Sequence, residues 1–195
     1  MVRCMQIETE LLIRTPIEEA AAYTDTLASG LGKLLRRAEQ LYGPRDSSYT
    51  ILGVEFCKVG PNIWYPGDCR HIVMKLTPDC MSDRVEAFFQ LAHECIHLLA
   101  PSGRQNANVL EEGLAAHFAC DYVRTEFEAN KSASRGSYDT AKQLIHQLLQ
   151  ADATIIRTIR ARKPALYLVT SQDILAACPG VAPELAEQLV KPFAH

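Results

Sequence analysis

From residue 82 onward the apolar positions recur at helical intervals. Val85, Phe88, Phe89, Ala92, Ile96 and Leu99 fall three and four residues apart until Pro101 stops the pattern, and Ser82 is placed to cap its start. After the loop PSGRQN a second helical pattern covers residues 107–128, with Leu110, Leu114, Phe118 and Tyr122 on one stripe. Earlier in the chain the period is shorter. Residues 49–59 (YTILGVEFCKV) and 71–78 (HIVMKLTP) read as strands joined by the turn-rich GPNIWYPGD, and together they predict a small antiparallel sheet. Residues 3–14 partly alternate and predict a further strand. Thr15 and Pro16 then open a long helical pattern that closes at Gly43-Pro44, with Thr15 and Glu18 as a capping box. Beyond the polar segment NKSASRGS at 130–137, helices are predicted over 138–150, 153–162, 171–177 and 183–191. The fold class is α+β, with one compact unit over residues 1–129 and a helical extension over 130–195 packed on it.

A chain of 195 residues and 21.7 kDa can bury a core of its own and needs neither metal nor disulfide merely to hold together. The net charge of −3 and pI near 6.1 lack the basic excess of a nucleic-acid binder, so no nucleic-acid partner is expected. Glu8, Glu10 and Arg14 break the first residues before they form a signal-like apolar run, and no later stretch is long and apolar enough to predict a membrane span. The seven cysteines, at 4, 57, 69, 80, 95, 120 and 178, form an odd set with no pair at the spacing of a zinc knuckle or redox motif. They read as buried thiols in a reducing cytoplasm.

Residues 93–97 read His-Glu-Cys-Ile-His, within the first of the two helical patterns. Histidines four apart share a helix face, so both imidazoles can reach one metal ion, while Glu94 lies about 100° round and can act on water at that metal. Zinc, borderline-soft, suits two imidazoles and a carboxylate with the fourth position open. The segment LEEGLAAHFA at 110–119 places two glutamates at the start of the next helix, and fourteen positions, 98 to 111, separate His97 from Glu112. Helix geometry leaves the choice between Glu111 and Glu112 open, because adjacent residues differ by about 100°. Glu111 is equally readable as a first-turn acid facing the helix dipole. His117, five residues after Glu112, is read as a packing or surface residue.

The combination of HECIH with Glu112-Gly113-Leu114-Ala115 resembles the gluzincin metallopeptidases, and that resemblance selects Glu112 as third ligand. The layout over about residues 16–128 resembles a minigluzincin, the minimal form of that fold. QLAHECIHLL followed by EEGLAAHFA is also similar to the ImmA/IrrE family of bacterial regulatory peptidases, which act on intracellular repressors. Ala116 departs from both patterns: it stands where ImmA/IrrE members carry Asn or Asp and where many gluzincins carry an acid that orients a histidine. The resemblance implies zinc-dependent hydrolysis of a peptide or protein substrate, with Glu94 as general base, His93, His97 and Glu112 as zinc ligands, and an intracellular regulatory partner as an option. It also implies an oxyanion donor from beyond the second helix, for which Tyr138 is the candidate, Arg157 and Arg160 being read as solvated charges. HIVMKLTP resembles the edge strand on which such enzymes align substrate.

Two other readings compete. Peptide deformylases pair H-E-x-x-H with an upstream cysteine, and Cys57 stands at a similar distance, although the rest of that pattern is missing. Alternatively the metal staples two helices in a non-catalytic interaction protein, but a structural site has no need of Glu94 and normally closes all four positions with protein ligands.

Overall fold

The computed structural model describes residues 13–16, 23–68, 70–103, 107–132 and 136–194. The fold is α+β. Two short strands, β1 (Ile13–Pro16) and β2 (Tyr23–Asp25), pair antiparallel before the first helix, α1 (Leu27–Tyr42). This corrects the helix start expected at Thr15, which lies in β1; Glu18 and most of the predicted first strand fall outside the described residues. Thr26 is the cap instead. Its hydroxyl accepts from the Ser29 N–H at 3.2 Å while the Ser29 hydroxyl accepts from the Thr26 N–H at 2.7 Å, satisfying two helix-end donors reciprocally.

The sheet is mixed, not antiparallel. It comprises β3 (Thr50–Phe56), β4 (Asn62–Trp64) and β5 (His71–Leu76) in the order β3-β5-β4, with β5 parallel to β3 and antiparallel to β4. The strand expected at the edge is therefore the central one. Ile72, Val73 and Met74 form an unbroken apolar run and are all buried, the pattern of a strand covered on both faces. The edges belong to β3 and to β4, the latter hidden within the turn-rich segment of the sequence.

A 3-10 turn, Pro78–Met81, leads to α2 (Arg84–His97). Ser82 closes the 3-10 turn, its hydroxyl donating to the Asp79 carbonyl at 3.3 Å, and the cap falls one residue later than expected: the Asp83 carboxylate accepts from the Glu86 N–H at 2.9 Å. The next helix, α3 (Val109–Phe127), is buried along most of its length from Leu110 to Val123, so it is a core helix wrapped by others. It packs against α2 and against α4 (Gly136–Ala151). Gly113 permits the second contact, because a Cβ there would lie 2.6 Å from the Ala141 carbonyl oxygen. Three further helices follow, α5 (Ile155–Arg162), α6 (Ser171–Ala177) and α7 (Pro183–Leu189). One hydrophobic cluster runs from Leu31 in α1 to Leu189 in α7.

Arg160 of α5 is buried, against its reading as a solvated charge. Its five N–H groups meet the carbonyls of Tyr42, Gly43, Pro44, Leu99 and Pro164 at 2.8–3.1 Å. Tyr42, Gly43 and Pro44 lie at the end of α1 and Leu99 just past the end of α2, where helix-end carbonyls and the helix dipole favour a cation. Burial lowers the Arg160 pKa. Among the described residues, Cys57, Cys80, Cys95, Cys120 and Cys178 are free thiols, and no helix is long and apolar enough to cross a membrane.

Candidate metal centre

The last turn of α2 and the first turn of α3 face each other, and their polar side chains converge. The Asp83 cap and the apolar face of Ala87, Phe88, Leu91, Ala92, Cys95 and Ile96 fix the rotation of α2, which turns His93 and His97 the other way, toward the cavity. Asn108 fixes the start of α3: its side-chain oxygen accepts from the Glu111 N–H at 2.9 Å, and its amide donates to the Leu166 carbonyl at 2.9 Å. Glu111 and Glu112 consequently occupy the first turn of α3, where the N-terminal dipole favours carboxylates.

His93 Nε2 and His97 Nε2 are 3.4 Å apart; Glu112 Oε2 lies 3.3 Å from the former and Glu112 Oε1 3.7 Å from the latter. Four-coordinate zinc, with ligands at about 2.0–2.2 Å and tetrahedral angles, separates neighbouring donors by about 3.3 Å. The donor triangle therefore has the size the ion requires. His93, His97 and Glu112 form the single group of three or more potential ligands among the described residues; Cys57 is not in it.

Glu111 has a different task. Its Oε1 accepts the Nδ1–H of His97 at 2.8 Å, which holds the ring with Nε2 turned toward His93 and Glu112. Adjacent glutamates thus divide the work, one facing the Nε2 atoms and the other holding a histidine from behind. This supplies the orienting acid that Ala116 lacks. The second Glu111 oxygen is buried with no hydrogen-bond partner among the described residues.

Electrostatics in the cluster oppose desolvation. Burial alone would hold His97 neutral, but Glu112, Glu111 and Glu94 outweigh it and push its pKa up to about 10 in the metal-free protein. Glu94 is also buried, and its pKa is raised, first by burial and against the pull of His97 and His93. A cavity of about 250 Å³ opens over these groups, with Glu94 and Tyr138 in its lining and Asn62 and Ile63 of β4 on one side. Tyr138, in the first turn of α4, stands edge-on to His93 with ring centroids 5.7 Å apart. It is the one residue of the helical extension named from the sequence that reaches this cavity; Arg160 is buried elsewhere, and His117 is half-buried beside His146.

Sequence reasoning missed Glu111 as the partner of His97, Asn62 and Ile63 as cavity wall, and Phe193, whose ring packs on Tyr138 at 4.7 Å. The paired glutamates were the available signal for the first; a three-residue strand and an isolated Phe after a short helix offered none. No protein-family model matches the chain, nor does any curated protein or solved structure.

Proposed function

We propose that the protein is a zinc-dependent hydrolase of peptide bonds, of gluzincin type, acting on a peptide or protein in the cytoplasm. The observation that carries this reading is the triangle of His93 Nε2, His97 Nε2 and Glu112, of a size to hold zinc, with the buried carboxylate of Glu94 in the same cavity. The donor set is two imidazoles and a carboxylate, with a position left for water, which is the composition of catalytic and not of structural zinc sites. When bound, the ion supplies Lewis acidity, acidifying water and polarising the scissile carbonyl.

The chain's own groups perform the rest. Glu94 takes a proton from the attacking water and delivers it to the leaving amine. Its raised pKa brings it nearer neutrality, where a group that must both accept and donate works best. Tyr138 donates its hydroxyl hydrogen to the oxyanion, and the hydrophobic body of the ring excludes water beside His93. The open edge of β4 at Asn62 and Ile63 offers main-chain hydrogen bonds to an extended substrate, the part first assigned to β5.

The test is metal analysis of the purified protein beside His97→Ala and Glu112→Ala, followed by peptide-library hydrolysis with Glu94→Gln as control. About one zinc per chain, lost in both ligand variants, with hydrolysis abolished but zinc kept in Glu94→Gln, is the expected result. Retained hydrolysis in Glu94→Gln would sink the mechanism, and a folded wild type that takes up no zinc would sink the reading.

A further inference from the structure

Tyr138 lies in the first turn of α4, just after a polar segment, and the packing of α4 on α3 through Gly113 and Ala141 fixes the helix but not the direction of its tyrosine ring. One contact of the ring comes from far along the chain. After α7 the backbone turns and runs beside the entry to α3. The Val109 N–H donates to the Lys191 carbonyl at 2.9 Å, Asn108 pairs antiparallel with Pro192, and the Phe193 N–H donates to the Ala107 carbonyl at 3.0 Å. This ladder sets the register of Phe193 against the turn that carries Glu111 and Glu112. Leu189 and Ala186 anchor α7 in the core, so the ladder is tied at its other end as well.

Phe193 is 9% exposed, and its ring meets that of Tyr138 at 4.7 Å between centroids with 49° between planes. The Tyr138 ring also meets His93, edge-on at 5.7 Å and 72°. The tyrosine therefore sits between a candidate metal ligand and an aromatic residue held in register with the helix of another ligand. We propose that Phe193 is a positioning residue: by wedging the Tyr138 ring against His93, it sets the direction of the hydroxyl over the cavity. The inference rests on the hydrolase reading for its catalytic consequence, but the placement of the ring does not depend on that reading. Phe193 acts through Tyr138 and makes no contact with reacting atoms. Loss of the Phe193 ring removes one wall of the Tyr138 ring and widens the orientations open to it, and a misplacement of about 1 Å in a catalytic group is enough to cost on the order of a hundredfold in rate.

The experiment uses the full chain labelled with 3-fluorotyrosine, in which Tyr138 is the signal, among seven tyrosines, that Tyr138→Phe removes. Fluorine spectra are recorded for wild type, Phe193→Ala and Phe193→Leu, metal-free and through a zinc titration. In parallel, kcat and KM are measured on a cleaved peptide, with and without Tyr138→Phe. The wild-type signal is expected to lie away from free fluorotyrosine and to shift as zinc binds next to His93. Phe193→Ala is expected to move it to the free position and remove the zinc-dependent shift, with zinc stoichiometry unchanged. Phe193→Ala should also lower kcat on the order of tenfold to a hundredfold with KM unchanged, and have no further effect on kcat once Tyr138→Phe is present.

A Tyr138 signal that neither Phe193 variant moves overturns the proposal, as does a moved signal with kcat intact in a chain that does hydrolyse peptides. If Phe193→Ala fails to fold, Phe193→Leu, which keeps the ladder and most of the buried volume, decides between the same outcomes. Should wild type bind no zinc or cleave nothing, the hydrolase reading fails, while the metal-free fluorine spectra still decide whether Phe193 places the ring.

Discussion

Replacement of Glu111 is expected to weaken zinc binding without touching a ligand. Its carboxylate accepts the His97 Nδ1–H at 2.8 Å, and the two side chains are only 16% and 4% exposed, so water cannot take over the bond. A hydrogen bond to a charged group contributes about 1.5–3 kcal/mol net, which converts to about ten- to a hundredfold in affinity. The same range is typical when an outer partner of a ligating histidine is lost. Glu111→Gln keeps an acceptor and loses only the charge, so it should fall near tenfold, whereas Glu111→Ala leaves a buried N–H unpaired and should approach a hundredfold. The fold itself should lose less, because the second Glu111 oxygen is already buried without a hydrogen-bond partner among the described residues and its removal relieves a desolvated group. Competition with a chromophoric zinc chelator at fixed pH measures the affinity, and urea unfolding of the metal-free proteins measures the fold. Affinity unchanged within about twofold in Glu111→Ala would refute the assignment, since a partner worth keeping should cost about tenfold or more. So would an affinity loss matched by an equal loss of metal-free stability, which would make Glu111 a structural residue.

Arg160→Met should destabilise the chain by about 3–5 kcal/mol, because it orphans the carbonyls of Tyr42, Gly43 and Pro44 at the end of α1 and leaves Leu99 with the Asp46 N–H alone; urea unfolding checks this, and a loss below about 1 kcal/mol would contradict it. Arg160→Lys should not rescue, since a lysine has three donors in place of a planar fork of five. Gly113→Ala sets a Cβ against the Ala141 carbonyl at 2.6 Å, so α3 and α4 must part; a stability loss of about 1–3 kcal/mol is expected in thermal or urea unfolding, with a lower kcat as Tyr138 moves out. Zinc binding should depend on pH. His97 is held protonated up to about 10 in the metal-free protein, a ligand must be deprotonated, and binding therefore displaces that proton and weakens as pH falls below that value. Titration calorimetry in buffers of differing ionisation enthalpy should find about one proton released near pH 8, and an affinity flat from pH 7 to 9 would contradict the prediction.

The helices that carry the candidate ligands were legible because their signals are local and repeated: apolar residues every three or four positions from Val85 to Ile96, and a cap that missed by a single residue at Asp83. The start of α1 was not. Thr15-Pro16 followed by glutamates satisfies a helix-start template as well as any segment can, while the actual box uses Ser29 in place of an acid and opens after a strand no template demanded. Strand direction was readable in principle from the unbroken run at Ile72, Val73 and Met74, which marks a central strand; β4, three residues within a stretch rich in Gly and Pro, shows no period to read. Glu111 and Glu112 illustrate the limit in the site. Adjacent residues on a helix differ by about 100°, and which one meets the imidazole Nε2 atoms depends on how α3 is rotated by Asn108 and Leu166, contacts some 58 residues apart. Arg160 reads as solvent-facing from its charge alone, and becomes a buried clamp only because the ends of two helices arrive beside it.

The charges of the cluster support a cation between its side chains independently of distance. Three carboxylates, Glu94, Glu111 and Glu112, lie buried with two imidazoles, and a low-dielectric interior does not tolerate net charge of that kind uncompensated. In the metal-free protein the pKa values of His97 and Glu94 both rise, one drawn up by the carboxylates and the other by burial. Each shift is toward the protonated form, the direction in which added positive charge would act. A divalent ion among His93, His97 and Glu112 would supply that charge at one point, return His97 to the neutral form a ligand requires, and lower the tendency of Glu94 to stay protonated, leaving it free to act as a base. A cluster that merely packed would be stabilised by replacing these acids with apolar residues of similar volume. Three acids buried at the junction of α2 and α3 are therefore a cost in stability, and a cation held among them would offset it.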